Sequence, residues 1–161
     1  MSGLVKTGIL QKDKTMIIRP MTEDDVEAVF LIEESCFPDP WSRKSIRGTL
    51  REQSSYMLVA EENGSIIAFL NSTYLLDELN LNRIAVLKEF RRKNTATLLM
   101  ENMLDFCKRG GIKRVMLEVR KSNIPAQNLY KSFGFNVLGE RANFYQNPAE
   151  PGIIMEKIME E

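Results

Sequence analysis

Residues 78–111 read ELNLNRIAVLKEFRRKNTATLLMENMLDFCKRGG, and their periodicities decide the fold. Glu78 to Val86 is a β-prone run in which Leu79, Leu81 and Ile84 change phase, so a bulge is expected between Asn82 and Ala85. From Asn94 to about Lys108, Ala96, Leu99, Met103 and Cys107 recur every three to four residues, which predicts a helix with one buried face. Gly110 and Gly111 close it as C-cap glycines do. Arg114 to Arg120 is again a strand, with Val115, Leu117 and Val119 on one face and Met116, Glu118 and Arg120 on the other. A helix that joins two strands of one sheet normally makes them parallel neighbours. At the junction, Arg91, Arg92 and Lys93 precede a helix N-terminus, where free N–H groups and the helix dipole favour an anion. A pyrophosphate-bearing ligand is therefore expected there, against the alternative of a solvated basic turn.

Upstream, a strand begins at Met16. Thr22 offers an N-cap, the acidic Glu23, Asp24 and Asp25 suit a first turn, and Val26, Val29, Phe30 and Glu33 follow at helical spacing to about Cys36. Phe37, Pro38, Asp39 and Pro40 break that helix, and Ser42 can cap a second, short one carrying Ile46 and Leu50. Tyr56–Glu61 and Ser65–Tyr74 form a hairpin around Glu62, Asn63 and Gly64, since an Asn-Gly pair supplies the positive φ angles of a tight turn. Downstream, a helix from Ile124 to Phe133 closes at Gly134, and Phe135–Tyr145 and Ile153–Ile158 make an antiparallel pair around residues 146–152. The whole predicts an α/β fold: a single mixed, mostly antiparallel sheet with one parallel pair and helices on both faces. Residues 1–15 read as a flexible lead-in and 16–161 as a single domain.

Composition narrows the chemistry. With 161 residues, 43% of them apolar, and 22 basic against 22 acidic, one core is expected and no net charge draws nucleic acid. No apolar run approaches the roughly 20 residues that span a bilayer, so a cytoplasmic protein without membrane contact is expected. Cys36 and Cys107 read as reduced thiols. The chain has no histidine, which excludes Ser-His-Asp and Cys-His chemistry and histidine-based zinc sites. Acid-base work falls to Glu, Asp, Tyr, Lys, Cys or water, and no metal is called for.

Arg91, Asn94 and Ala96 occupy the marked places of the Arg/Gln-x-x-Gly-x-Gly/Ala phosphate loop of the GNAT acetyltransferases, which this sequence resembles. Asn94 stands where the family has glycine, and asparagine is the residue after glycine that best tolerates positive φ. Ile84, Ala85 and Val86, then Leu117 to Arg120, Asn123, Ala126, Leu129, Tyr130 and Phe133 to Phe135 extend the likeness to the RimI-like branch, which acetylates the α-amine of a ribosomal protein. Phe37, Pro38, Trp41 and Ser42, with Asn143 to Tyr145, carry it from about Ile18 to Met155. The resemblance implies acetyl-CoA as co-substrate, held by Arg91, Arg92, Lys93, Asn94, Thr95, Ala96 and Thr97 at the pyrophosphate. It implies that the backbone of Ile84, Ala85 and Val86 pairs with the pantetheine arm along a splayed parallel pair, and that Asn123 contacts the cofactor. Glu118 would accept a proton and Tyr130 donate one; a phenol about 1.5 pKa units above a thiol makes donation cost roughly 2 kcal/mol. Phe37, Trp41, Tyr145, Asp77 and Glu78 are the expected acceptor side. The expected partner is an acceptor protein N-terminus, with the chain a monomer or weak dimer. A GNAT acting on a small-molecule amine and a non-catalytic acetyl-CoA-binding module are the alternatives.

Overall fold

Asn63 and Gly64 take φ angles of 52° and 83°, the left-handed pair that a two-residue hairpin needs. They join β2 (Ser55–Glu62) to β3 (Ser65–Leu75), and β1 (Met16–Pro20) lies antiparallel along the free edge of β2. The computed structural model describes residues 16–160; the expected lead-in, residues 1–15, lies outside them. Chain order continues through α1 (Val26–Cys36), α2 (Arg43–Leu50), β4 (Glu78–Val86), α3 (Thr95–Arg109), β5 (Arg114–Arg120), α4 (Ile124–Ser132), β6 (Asn136–Tyr145) and β7 (Glu150–Ile158). Among the described residues seven strands run β1-β2-β3-β4-β5-β7-β6, with β4 and β5 the one parallel pair.

The phase change read in β4 is a bulge, and the extra residue is Asn82: Asn71 faces Arg83 while Ser72 faces Leu81. The Asn82 amide donates to Asn71 Oδ1 at 3.1 Å and Thr73 Oγ1 at 3.2 Å, so the polar residue that breaks the pattern also pins the break. Past it the parallel pair opens. Pairing runs only from Glu78 opposite Arg114 to Leu81 opposite Leu117, which leaves the later part of β4 without a partner on the β5 side.

Helices cover both faces of the sheet. Val26, Val29, Ile32 and Ile46 of α1 and α2 pack on Met57, Val59 and Phe69, while Leu99, Met100, Met103 and Cys107 of α3 pack on Leu58, Ala60, Leu70 and Leu79. Two boundaries differ from expectation. The turn after Thr22 is a tight 3-10 turn, Glu23–Asp25, before α1 begins; Asp25 accepts from the Thr22 N–H (2.8 Å) and is gripped by Arg19 at 2.8 and 2.9 Å. β7 starts at Glu150 and not Ile153, because Glu150 lies opposite Tyr145 and its carboxylate takes Arg120 (3.1 Å) and the Ser122 N–H (3.0 Å). Pro151 and Gly152 had read as loop on composition alone. Cys36 and Cys107 are free thiols. No helix among the described residues is long and apolar enough to cross a membrane.

Candidate active site

The opening between β4 and β5 is a cleft of about 610 Å³. One end is the α3 N-terminus. Asn94, immediately before the helix, is left-handed (φ 63°, ψ 14°), the conformation its substitution for glycine required, and Arg92 is left-handed too (φ 67°). The Asn94 side chain makes no capping hydrogen bond, and the first-turn residues Thr95, Ala96 and Thr97 lie on the cleft wall. Uncapped donors flanked by Arg91 and Arg92 fit a pyrophosphate. Arg91 also has a structural task, for its Nε donates to the Val86 carbonyl at 2.9 Å. Of the Ile84–Val86 backbone groups expected to be free for the pantetheine arm, that carbonyl is therefore taken.

Glu118 and Tyr130 line the other end. Glu118 alternates with the buried Leu117 and Val119, as its place on the strand demands. Its Oε1 lies 3.5 Å from Arg141 Nη2, and its buried Oε2 has no hydrogen-bond partner among the described residues. A Cβ at Gly152 would stand 3.2 Å from that oxygen and 3.2 Å from the Phe144 ring, so glycine on β7 is what lets the carboxylate and the ring approach. Tyr130 is buried on α4, and burial pushes its phenol well above the usual tyrosine range. Proton loss is thus harder than the reference acidity implied. Asn123 caps α4 by accepting from the Ala126 N–H at 3.2 Å while lining the cleft.

Phe37 and Tyr145 border the same end. Burial, with Glu118 nearby, pushes the Tyr145 phenol up to about 12. Each ring carries an arginine that the sequence reading did not single out. Arg83 lies 4.0 Å over Phe37, donates to the Asp39 carbonyl (2.6 Å) and pairs with Glu33 at 3.3 Å; Arg120 lies 4.6 Å over Tyr145 and holds the Gln146 and Pro148 carbonyls. The signals were present: Glu33 is a charged residue on an apolar helix stripe, and Arg120 follows Glu118 at strand spacing. Glu33 is fully buried, which pushes its carboxyl upward against the Trp41 N–H (3.0 Å) and Arg83.

Four expected site residues lie outside the cleft. Trp41 packs, half-buried, against the α1–α2 core, and Glu33 accepts from its N–H. Asp77 and Glu78 sit at the start of β4, where the strands are still paired: the Asp77 carbonyl accepts from the Lys113 N–H (2.7 Å) and Glu78 pairs with Arg114 (3.2 Å). Lys93 turns its ammonium to the Phe90 ring, 5.3 Å from the centroid.

The model of the acetyltransferase (GNAT) family matches residues 26–135. The [ribosomal protein bS18]-alanine N-acetyltransferase of Escherichia coli (strain K12) is 33% identical over 140 residues, covering 86% of this chain and 94% of that protein. The crystal structure of the ribosomal-protein-S18-alanine N-acetyltransferase from Escherichia coli aligns with a TM-score of 0.85 at 30% identity, over 91% of this chain and 95% of that one. Ard1 from Thermoplasma volcanium aligns with a TM-score of 0.84 at 27% identity, over 91% and 99% of the two chains.

Proposed function

The chain belongs to the acetyltransferase (GNAT) family and is an acetyl-CoA-dependent N-acetyltransferase, and we propose that its acceptor is the N-terminal α-amine of a ribosomal protein. The observation that carries the reading is that Glu118, the first β5 residue past the last β4 pair, and Tyr130 line the same cleft as the α3 N-terminus. The similarity to the bS18-alanine N-acetyltransferase supports the choice of acceptor. So does acidity: with reference pKa values of about 7.8 and 10.4, roughly one α-amine in seven is neutral at pH 7, against about one lysine amine in 2,500. A site without histidine suits the amine that needs less help.

In this account Arg92 and the first-turn N–H groups of α3 hold the pyrophosphate, and the unpaired β4 backbone near Ala85 lines the pantetheine and polarises the thioester carbonyl. Glu118 takes a proton from the acceptor amine, directly or through water. The amine nitrogen bonds to the acetyl carbon, the carbon–sulfur bond breaks, and Tyr130 gives its proton to the departing sulfur. Phe37 and Tyr145, braced by Arg83 and Arg120, flank the acceptor's first residues. Free thiols at Cys36 and Cys107 suit a cytoplasmic setting.

The test is Glu118→Gln. Turnover should fall about a hundredfold at pH 7 and much less at pH 9, where neutral amine is abundant, with acetyl-CoA affinity unchanged. An equal loss at both pH values would mean that Glu118 positions groups without taking a proton.

A further inference from the structure

Three arginines line or border the acceptor end, and they differ in what balances them. Arg83 is paired with Glu33 and reaches Asp39, and Arg120 is paired with Glu150; both are largely buried. Arg141, on the edge strand β6, has 56% of its side chain exposed, and among the described residues its ion partner is Glu118 alone, 3.5 Å away. It rests 5.0 Å from the centroid of the Phe144 ring, which itself packs beside Gly152 and Glu118. Tyr145 also faces Glu118, and its phenol stays neutral at working pH; Arg83, Arg120 and Asp39 gather around that phenol, the two arginines held in their own ion pairs.

Resting on the reading of Glu118 as the proton acceptor, we propose that Arg141 sets the charge state of the acceptor: its guanidinium competes with the acceptor ammonium for Glu118 and disfavours the protonated form of the bound amine. An amine close enough to give its proton to Glu118 is also within a few ångströms of a fixed positive charge. A like charge at about 4–6 Å penalises the protonated form. A guanidinium offers only donors, so it does not accept the proton itself. Arg141 thus weakens binding of the ammonium and raises the fraction of neutral, nucleophilic amine at Glu118. Losing Arg141 should therefore lower KM and kcat together, which separates the proposal from a structural role, where KM would rise or hold while kcat fell.

The experiment measures steady-state kinetics of wild type, Arg141→Gln and Arg141→Lys from pH 6.5 to 9.5. The acceptor is a lysine-free peptide with one α-amine, and acetyl-CoA is saturating. Arg141→Gln should lower the acceptor KM about threefold and lower kcat at pH 7 by about threefold to tenfold, with kcat returning to the wild-type value near pH 9. Arg141→Lys should restore both, and raising salt should move wild type toward Arg141→Gln. A pH-independent loss of kcat, or a raised KM, in Arg141→Gln would overturn the proposal and leave Arg141 as a prop for β6. Absence of α-amine acetylation by wild type would instead overturn the reading of the acceptor on which the proposal rests.

Discussion

Asn94 shows how far a single position can be read. Its residue type in a glycine's place predicted positive φ, and the backbone is left-handed at 63°. Glycine adopts that conformation without strain, so Asn94→Gly should bind acetyl-CoA as tightly or slightly more tightly by calorimetry. A tenfold loss would make the amide a ligand. Glu118 was legible because it stands on the strand face opposite Val115, Leu117 and Val119 and at the family's proton-acceptor position, whereas its setting was not: Gly152 lies 34 residues away in sequence and meets Glu118 only through the β5–β7 pairing. A methyl group at 152 would crowd both Glu118 Oε2 and Phe144. Gly152→Ala should therefore lower kcat by about tenfold with acetyl-CoA affinity unchanged, since in the proposed reaction a small displacement of the Glu118 carboxylate costs rate more than binding. An unaltered kcat would mean that the carboxylate has room to spare.

Among the elements, β4 governs the cleft. Its phase change in the sequence foretold a bulge, yet only the ladder to β3 identifies Asn82 as the inserted residue, because a sequence alone does not fix register. Removing the Asn82 amide would leave Asn71 Oδ1, on a residue 1% exposed, without this donor. Asn82→Ala should cost about 1–3 kcal/mol, or roughly 2–12 °C in Tm for a chain of this size, and should weaken acetyl-CoA binding by letting the strands relax together. Unchanged affinity in a destabilised variant would separate the bulge from the cleft. The loops were read less well than the strands. Trp41, Asp77 and Glu78 were assigned to the acceptor by residue type and motif, while the structure leaves Trp41 half-buried against the α1–α2 core and Asp77 and Glu78 where β4 and β5 are still joined. Side-chain direction in a loop depends on partners such as Glu33 that no local pattern reveals.

At the scale of the molecule, burial sets the pH limits of the fold. Burial pushes Tyr56, Tyr145 and Cys107 each up to about 12, and it raises Tyr130 as well. In the unfolded chain these groups lose protons near 9 to 10. The folded state therefore favours the protonated forms, and their contribution to stability is whole below about pH 9 and is lost as pH rises toward about 12. Tm should stay level from about pH 7 to 8.5 and fall steadily above about 9.5; a Tm unchanged through pH 11 would contradict this burial. The sheet and its helices arise from periodicities spread over the chain, which is why the architecture was legible before any contact was known. The acceptor is chosen by the cleft as a whole, and its most direct test is a competition followed by mass spectrometry. A peptide from the ribosomal protein with a free N-terminus is mixed with the same peptide carrying a blocked N-terminus and internal lysines, in the presence of the protein and acetyl-CoA. The account predicts a gain of about 42 Da on the free-N-terminus peptide alone while acetyl-CoA is limiting, because that amine is the more readily neutral. Preferential acetylation of the blocked peptide would contradict it.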